Sequence, residues 1–173
     1  MKILTIGLQV LGIVVLVPLV VLGTLRFENR NADGPSILFP GGELVSGDLY
    51  TGPEPDWSFT SDVPTVELQL NDPLSSRLIW ILESEGKIYI ASGYMSTFLG
   101  RLWKHWAVQA DDGDGQAVVR INGTRYERQL IRIKEGPVLD GVGAAMAKYG
   151  APTPRQYIEA GNTWIFELAP PGT

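Results

Sequence analysis

Basic side chains with no obvious counter-charge are the residues of this chain that invite chemistry. Asn122-Gly123 is the pair that tolerates the positive φ angles of a two-residue type I′ turn. Such a turn sets Ile121 against Thr124 and Arg120 directly against Arg125. Like charges so placed cost on the order of a few tenths of a kcal/mol. Three things would relieve them: Glu127 on the same strand face, an anion such as a cofactor phosphate, or splaying into water. Arg101 and Lys104 form a second basic group just inside an expected helix start, where peptide dipoles favour negative ligands.

Most other chemistries fail on inventory. With no cysteine there is no thiolate nucleophile, thiolate metal site or disulfide. The single histidine, His105, excludes a multi-histidine metal centre within one chain and has no Gly-x-Ser-x-Gly elbow to serve. Gly141-Val142-Gly143 lacks the third glycine of a dinucleotide fingerprint, and no Gly-x-x-x-x-Gly-Lys phosphate loop is present. Asp111-Asp112-Gly113-Asp114-Gly115 resembles a calcium loop but has neither the glycine at position six nor the closing glutamate, so it reads as a solvated loop. Asn122-Gly123-Thr124 is also a glycosylation sequon, although the tight turn explains the same three residues.

The elements that must position these residues begin at the N-terminus. Residues 3–25 carry no charge and would span about 34 Å as a helix, enough for a hydrocarbon core of about 30 Å. An uncleaved transmembrane anchor is expected over residues 1–26. A signal peptide is the rival, but its apolar region would exceed the usual length. Basic residues flank the span almost equally, Lys2 before it and Arg26 and Arg30 after it. A short basic leader ahead of a long C-terminal domain leads us to expect that domain on the exported side.

Residues 27–64 read as a linker and entry segment, broken by Asp33-Gly34-Pro35, Phe39-Pro40-Gly41-Gly42 and Gly52-Pro53, with one short strand within 44–51. Trp57 and Phe59 are expected to seal an open edge of the core. Residues 65–173 are expected to fold as the domain proper. Residues 65–70 alternate with period two, and the apolar run 78–82 suggests a strand buried on both faces. Glu83-Ser84-Glu85-Gly86 turns that strand into another at 87–91. The Asn122-Gly123 hairpin joins 117–121 to 124–134, and 164–168 is a last strand. Leu99, Leu102, Trp103, Trp106 and Ala110 recur at helical spacing behind a Ser96 or Thr97 cap. A second helix starts near Pro137 and stops at Gly150, and Thr153-Pro154-Arg155-Gln156 has a capping-box pattern. The fold expected is mainly β (α+β): a small antiparallel split β-barrel with a few short helices behind one N-terminal transmembrane helix. A length of 173 residues, 45% of them hydrophobic, suits one such domain plus an anchor, and a net charge of −5 argues against nucleic acid as a partner.

Several short stretches carry a family likeness. Leu78-Ile79-Trp80-Ile81, Glu85-Gly86-Lys87-Ile88-Tyr89-Ile90-Ala91-Ser92-Gly93, Trp103-Lys104-His105-Trp106 and Arg120-Ile121-Asn122-Gly123-Thr124-Arg125-Tyr126 follow one another in order. Lys148-Tyr149-Gly150 and the strand from Trp164 into Pro170 complete the set. Over residues 65–170 this resembles the flavin- and deazaflavin-binding split-barrel superfamily, which includes the pyridoxamine-phosphate-oxidase-like proteins and the deazaflavin-dependent nitroreductases. The resemblance implies FMN or a deazaflavin in a groove lined by Arg77, Ser92, Arg101, Trp103 and Lys104, with oxidoreductase activity supplied by the cofactor. It also implies a homodimer paired through the sheets. Where the nitroreductases carry a Gly-Arg-x-Ser-Gly-like turn this chain has Asn71-Asp72-Pro73-Leu74-Ser75-Ser76-Arg77, so only Ser75, Ser76 and Arg77 could imitate it, and Asp72 would repel a phosphate. The alternative is a non-catalytic accessory subunit without cofactor. It would use the barrel as a docking surface within a larger membrane complex, with Trp57, Tyr94, Phe98 and Trp103 as interface anchors.

Overall fold

A computed structural model of the chain describes residues 2–172, with side chains described from Ile6 onward. Helix α1 (Lys2–Asn29) is long and apolar enough to cross a membrane, and the side chains of Ile6 to Glu28 are all exposed. It carries Pro18 within it and runs past the expected boundary at residue 26. The next twenty residues lie as a strap along the sheet and end in the two-residue strand β1 (Asp48–Leu49).

The sheet follows the alternation expected from the sequence. Its strands are β2 (Val66–Leu70), β3 (Ser75–Ile79), β4 (Ile81–Ser84), β5 (Lys87–Gly93), β6 (Gln116–Ile121), β7 (Thr124–Ile133) and β8 (Thr163–Ala169). Their spatial order is β3-β2-β6-β7-β8-β5-β4, antiparallel throughout, with β1 added parallel to β7. The two edge strands, β3 and β4, are separated in sequence only by Trp80, so the sheet curls into a half-barrel about one bent stretch of chain. That bend corrects the expectation for residues 78–82. The run is not one strand buried on both faces: Leu78 and Trp80 are each 44% exposed, whereas Ile79 and Ile81 face inward. Trp80 stays apolar for another reason, since it stacks on Tyr149 with ring centroids 4.3 Å apart and planes 2° from parallel.

Both hairpins form. Glu85 and Gly86 turn the first and Asn122 and Gly123 the second, all four at positive φ, and Arg120 faces Arg125 in register. The helix expected around residues 99–110 is instead two. Helix α2 (Phe98–Trp103) is capped by Thr97, whose hydroxyl accepts from the Gly100 amide at 3.0 Å, and helix α3 (His105–Asp112) follows a break at Lys104. Trp106, Ala107 and Ala110 of α3 are buried, while Leu99, Leu102 and Trp103 of α2 are exposed. One apolar periodicity thus spans two helices with different surroundings. Helix α4 (Val138–Ala145) continues into a 3-10 turn that Gly150 stops at φ 70°. Helix α5 (Arg155–Glu159) starts with Pro154 at its cap position, which has no side-chain acceptor, and the Thr153 hydroxyl donates to the Ala151 carbonyl.

Two cores result. The inner one fills the curl with Leu68, Ile90, Val119, Phe166 and Leu168; the outer one seats α4 and α5 on the far face through Leu82, Tyr89, Leu139, Val142 and Ile165. Each such side chain contributes about 1.5–3 kcal/mol on burial. A 3-10 turn, Trp57–Asp62, plugs the curl with Trp57, which is 1% exposed, as the sequence led us to expect; Phe59 stays at the rim, 40% exposed. Glu54 holds the plug by accepting from Trp57 Nε1 at 2.6 Å and from Arg128 Nη1 at 2.9 Å. Lys148 Nζ donates to the carbonyls of Thr60 (2.8 Å) and Val63 (2.5 Å), and the Tyr149 hydroxyl accepts from the Ile81 amide at 3.0 Å. The Lys148-Tyr149-Gly150 motif is therefore a staple joining plug, bend and outer helix.

Candidate functional site

Two cations without an ion pair among the described residues, Arg77 and Lys104, lie near the start of α3. Arg77 stands opposite Leu68 on β3, which turns it to the inner face alongside Ser75 and Ile79. It is largely buried, with its guanidinium 5.6 Å from the Trp106 ring centroid. One nitrogen donates to Ser75 Oγ at 2.5 Å, and buried Nε has no hydrogen-bond partner among the described residues. Burial pulls its pKa down to about 10, which leaves it cationic at neutral pH. The contrast with other arginines of the sheet is plain: Arg120, Arg128 and Arg132 each pair with a carboxylate.

Lys104 sits at the joint between α2 and α3, half-buried, its ammonium 5.7 Å from the Trp103 ring and 6.0 Å from that of Tyr94. Burial lowers its pKa, and it forms no ion pair among the described residues. Trp106, two residues on, connects this joint to Arg77. Ser92 lies at the same end of the inner face, at the close of β5, but it is fully buried and its hydroxyl donates to Met95 Sδ at 3.3 Å. Arg101 and Trp103 are exposed on α2, Trp103 at 78%. A shallow groove of about 490 Å³ runs along α2 between Tyr94, Thr97, Leu99, Gly100, Leu102 and Trp103. Of the five residues implied by the resemblance, Trp103 and Lys104 meet directly, Arg77 joins them through Trp106, and Ser92 and Arg101 make no described contact with the rest.

The facing arginines of the second hairpin find their partners elsewhere in the chain, not at Glu127. Arg120 pairs with Glu67 through Nε and with Asp33 Oδ1 and Ser46 Oγ through Nη1, both at 2.7 Å. Arg125 donates to the carbonyls of Gly47 and Leu44, each at 3.0 Å. The strap after α1 thus supplies most of the acceptors. The Ser46 hydroxyl, followed by the Val45 amide, holds the Asp33 carboxyl well below the usual carboxylate range. Sequence reasoning missed these partners because they come from a segment read as linker. The only signal was Asp33 itself, a lone acid in a turn. Asp111 is similarly taken up by Arg132 at 2.5 Å, and no cluster of three or more metal-ligating side chains exists among the described residues.

The cation set fits an anionic cofactor tail in part. Arg77 offers an orphaned buried donor and Lys104 a desolvated charge, which is the chemistry a phosphate requires. The Ser92 hydroxyl is already committed.

No family model matches the chain, and no curated protein matches it. Among solved structures, a conserved hypothetical protein of Mycobacterium tuberculosis, Rv2991, aligns at 13% identity with a TM-score of 0.47, over 72% of this chain and 83% of that one.

Proposed function

We propose that this protein is a membrane-anchored half-barrel that holds an anionic cofactor of the FMN or deazaflavin class at the α3-capped end of the curl, and acts through it as an oxidoreductase. The observation that carries this reading is Arg77: a largely buried guanidinium without a carboxylate, its Nε unpaired. Holding a charge in that state costs several kcal/mol unless a partner offsets it. An anion bridging Arg77 and Lys104 would supply that offset. Trp106 covers the guanidinium and keeps water from competing for it, and Ser75 fixes the plane of its fork. When bound, the cofactor supplies hydride or electron transfer, and the residues of the chain bind, orient and shield.

The test is a titration of the full chain in detergent micelles with FMN and, separately, with a deazaflavin cofactor, followed by absorption and fluorescence. Saturable binding is expected, weakened about ten- to a hundredfold by Arg77→Met, which removes charge-assisted hydrogen bonds of about 1.5–3 kcal/mol. Binding of neither cofactor, or equal binding by the variant, overturns the proposal.

A further inference from the structure

Ile37 and Leu38 are exposed at 92% and 78%, and no large apolar side chain among the described residues is more exposed than Ile37. They form the tip of a loop whose two ends touch. A Cβ on Gly41 would collide with the Gly34 carbonyl, so the chain leaves and re-enters the strap at one point. The loop is also stiffened from within: the Ser36 amide donates to the Phe39 carbonyl and the Phe39 amide to Ser36 Oγ, both at 3.0 Å. Two aliphatic side chains are thus held outward by a turn that pairs backbone groups of its own. Their apolar area gains free energy only against another apolar phase.

This loop is fastened to the end of α1. Asn29, the last residue of α1, donates through Nδ2 to the carbonyls of Phe39 (3.2 Å) and Pro40 (2.8 Å) on the returning limb. The Ala32 amide donates to the Asn29 carbonyl and the Gly42 amide to the Ala32 carbonyl, each at 3.0 Å, which closes the connection. Asn29 lies four residues past Leu25, where the uncharged stretch ends, or about 6 Å along a helix. With a hydrocarbon core of about 30 Å inside a bilayer of about 40–45 Å, each headgroup layer is about 5–8 Å deep. An anchor whose apolar stretch fills the core therefore sets Asn29 within the headgroup layer. Phe39 comes with it, and Leu38 and Ile37 are the next two residues along the chain.

We infer that the 35–40 loop is a membrane wedge: Ile37 and Leu38 enter the bilayer interface beside α1 and give the domain a second point of attachment. The domain then holds a fixed stance instead of turning about a single helix. The partner is the lipid surface itself. Arg26 and Arg30 stand near the loop's tether, with Arg30 over the Phe27 ring at 4.4 Å, and basic side chains commonly flank a span in this way. Backbone pairing inside the loop suits the setting, because unpaired N–H and C=O groups resist transfer toward lipid. The hydrogen bonds between Gly41 and Ser76 carry the restraint into β3. This inference rests on α1 as an anchor and is independent of any cofactor and of α2.

With no cysteine in the chain, Leu38→Cys offers a unique attachment point for a nitroxide spin label, and the exposure of Leu38 means that no core packing is lost. The full chain is reconstituted into phosphatidylcholine vesicles. Power saturation is compared with oxygen, which concentrates in lipid, and with a nickel chelate, which stays in water. Leu16→Cys, in the middle of α1, reports the anchor in the same way. Both labels are expected to relax more with oxygen than with the chelate. A label at 38 that answers to nickel while the label at 16 answers to oxygen overturns the wedge and keeps the anchor. Nickel response at both positions overturns the anchor and the wedge with it. A label at 38 shielded from both colliders also overturns the wedge, because protein would then cover the tip. Combined with a label at Ile37→Cys, Leu38→Asp is expected to shift that label from oxygen toward nickel; an unchanged response overturns the proposal.

Discussion

At the residue scale, two arginine sites show how differently the same side chain can be used. Arg120 and Arg125 were legible as a like-charged pair, and the register places them so, but their relief comes from Asp33, Ser46 and backbone carbonyls of the strap. Nothing in the spacing of residues 29–50 reports which strand they will lie against, so these partners were not readable. Glu67→Gln is expected to lower stability by about 1–2 kcal/mol, because it leaves Arg120 with weaker acceptors in a half-buried setting; the shift in urea midpoint measures it. Arg77 should behave in the opposite way. Arg77→Met keeps the side-chain bulk and removes an uncompensated charge, so the unliganded protein is expected to gain thermal stability or hold it. A loss above about 1 kcal/mol would mark Arg77 as structural. For Lys104 the sign follows from its lowered pKa. The folded chain releases this proton before the unfolded chain does, so stability without ligand rises with pH between the lowered value and the ordinary lysine value of 10.5. Anion binding changes the other way across that window, weakening as the ammonium is lost. Lys104→Met should flatten a pH series of FMN affinity.

At the scale of elements, the strands were the legible part and the joints were not. Alternation predicts β2, and Asn122-Gly123 predicts the β6–β7 hairpin with its register, because a two-residue turn leaves no freedom in pairing. Periodicity failed where a neighbour changes within an apolar run. Residues 78–82 look uniformly buried because Tyr149 covers Trp80 from outside, and residues 99–110 look like one helix because α2 and α3 present apolar side chains to different surroundings. Trp106 joins the two themes, since it packs on Phe166 and covers Arg77. Trp106→Ala is expected to cost about 3–5 kcal/mol, as for other large aromatic truncations in a core, and to speed the exchange of Arg77 guanidinium protons seen by NMR. Gly100 is a sharper test of α2: a Cβ there would lie 1.8 Å from the Tyr94 carbonyl oxygen. Gly100→Ala should therefore displace the first turn of α2 and shift the Trp103 emission while leaving the curled sheet intact by circular dichroism.

At the scale of the whole molecule, length and hydropathy made the N-terminal helix legible, and strand count with turn chemistry made the barrel-like sheet legible. The cation site was half legible: Arg77 and Lys104 stood out as charges, but only folding reveals that one is covered by Trp106 and that Ser92 is spent on Met95. Retention of the anchor has a direct measurement. Protein extracted from membranes is expected to have the full mass of 18.9 kDa and to resist alkaline carbonate; loss of the first two dozen residues would identify a cleaved leader. The bridge between Gly41 and Ser76 has a consequence of its own. Proteins fixed in a membrane meet one another in two dimensions, at high local density, where any bare β-strand margin could template fibril-like growth from molecule to molecule. By laying its own backbone against β3 at Ser76, with hydrogen bonds of 2.9 Å in both directions, the chain occupies that stretch of the margin and denies it to crowded neighbours.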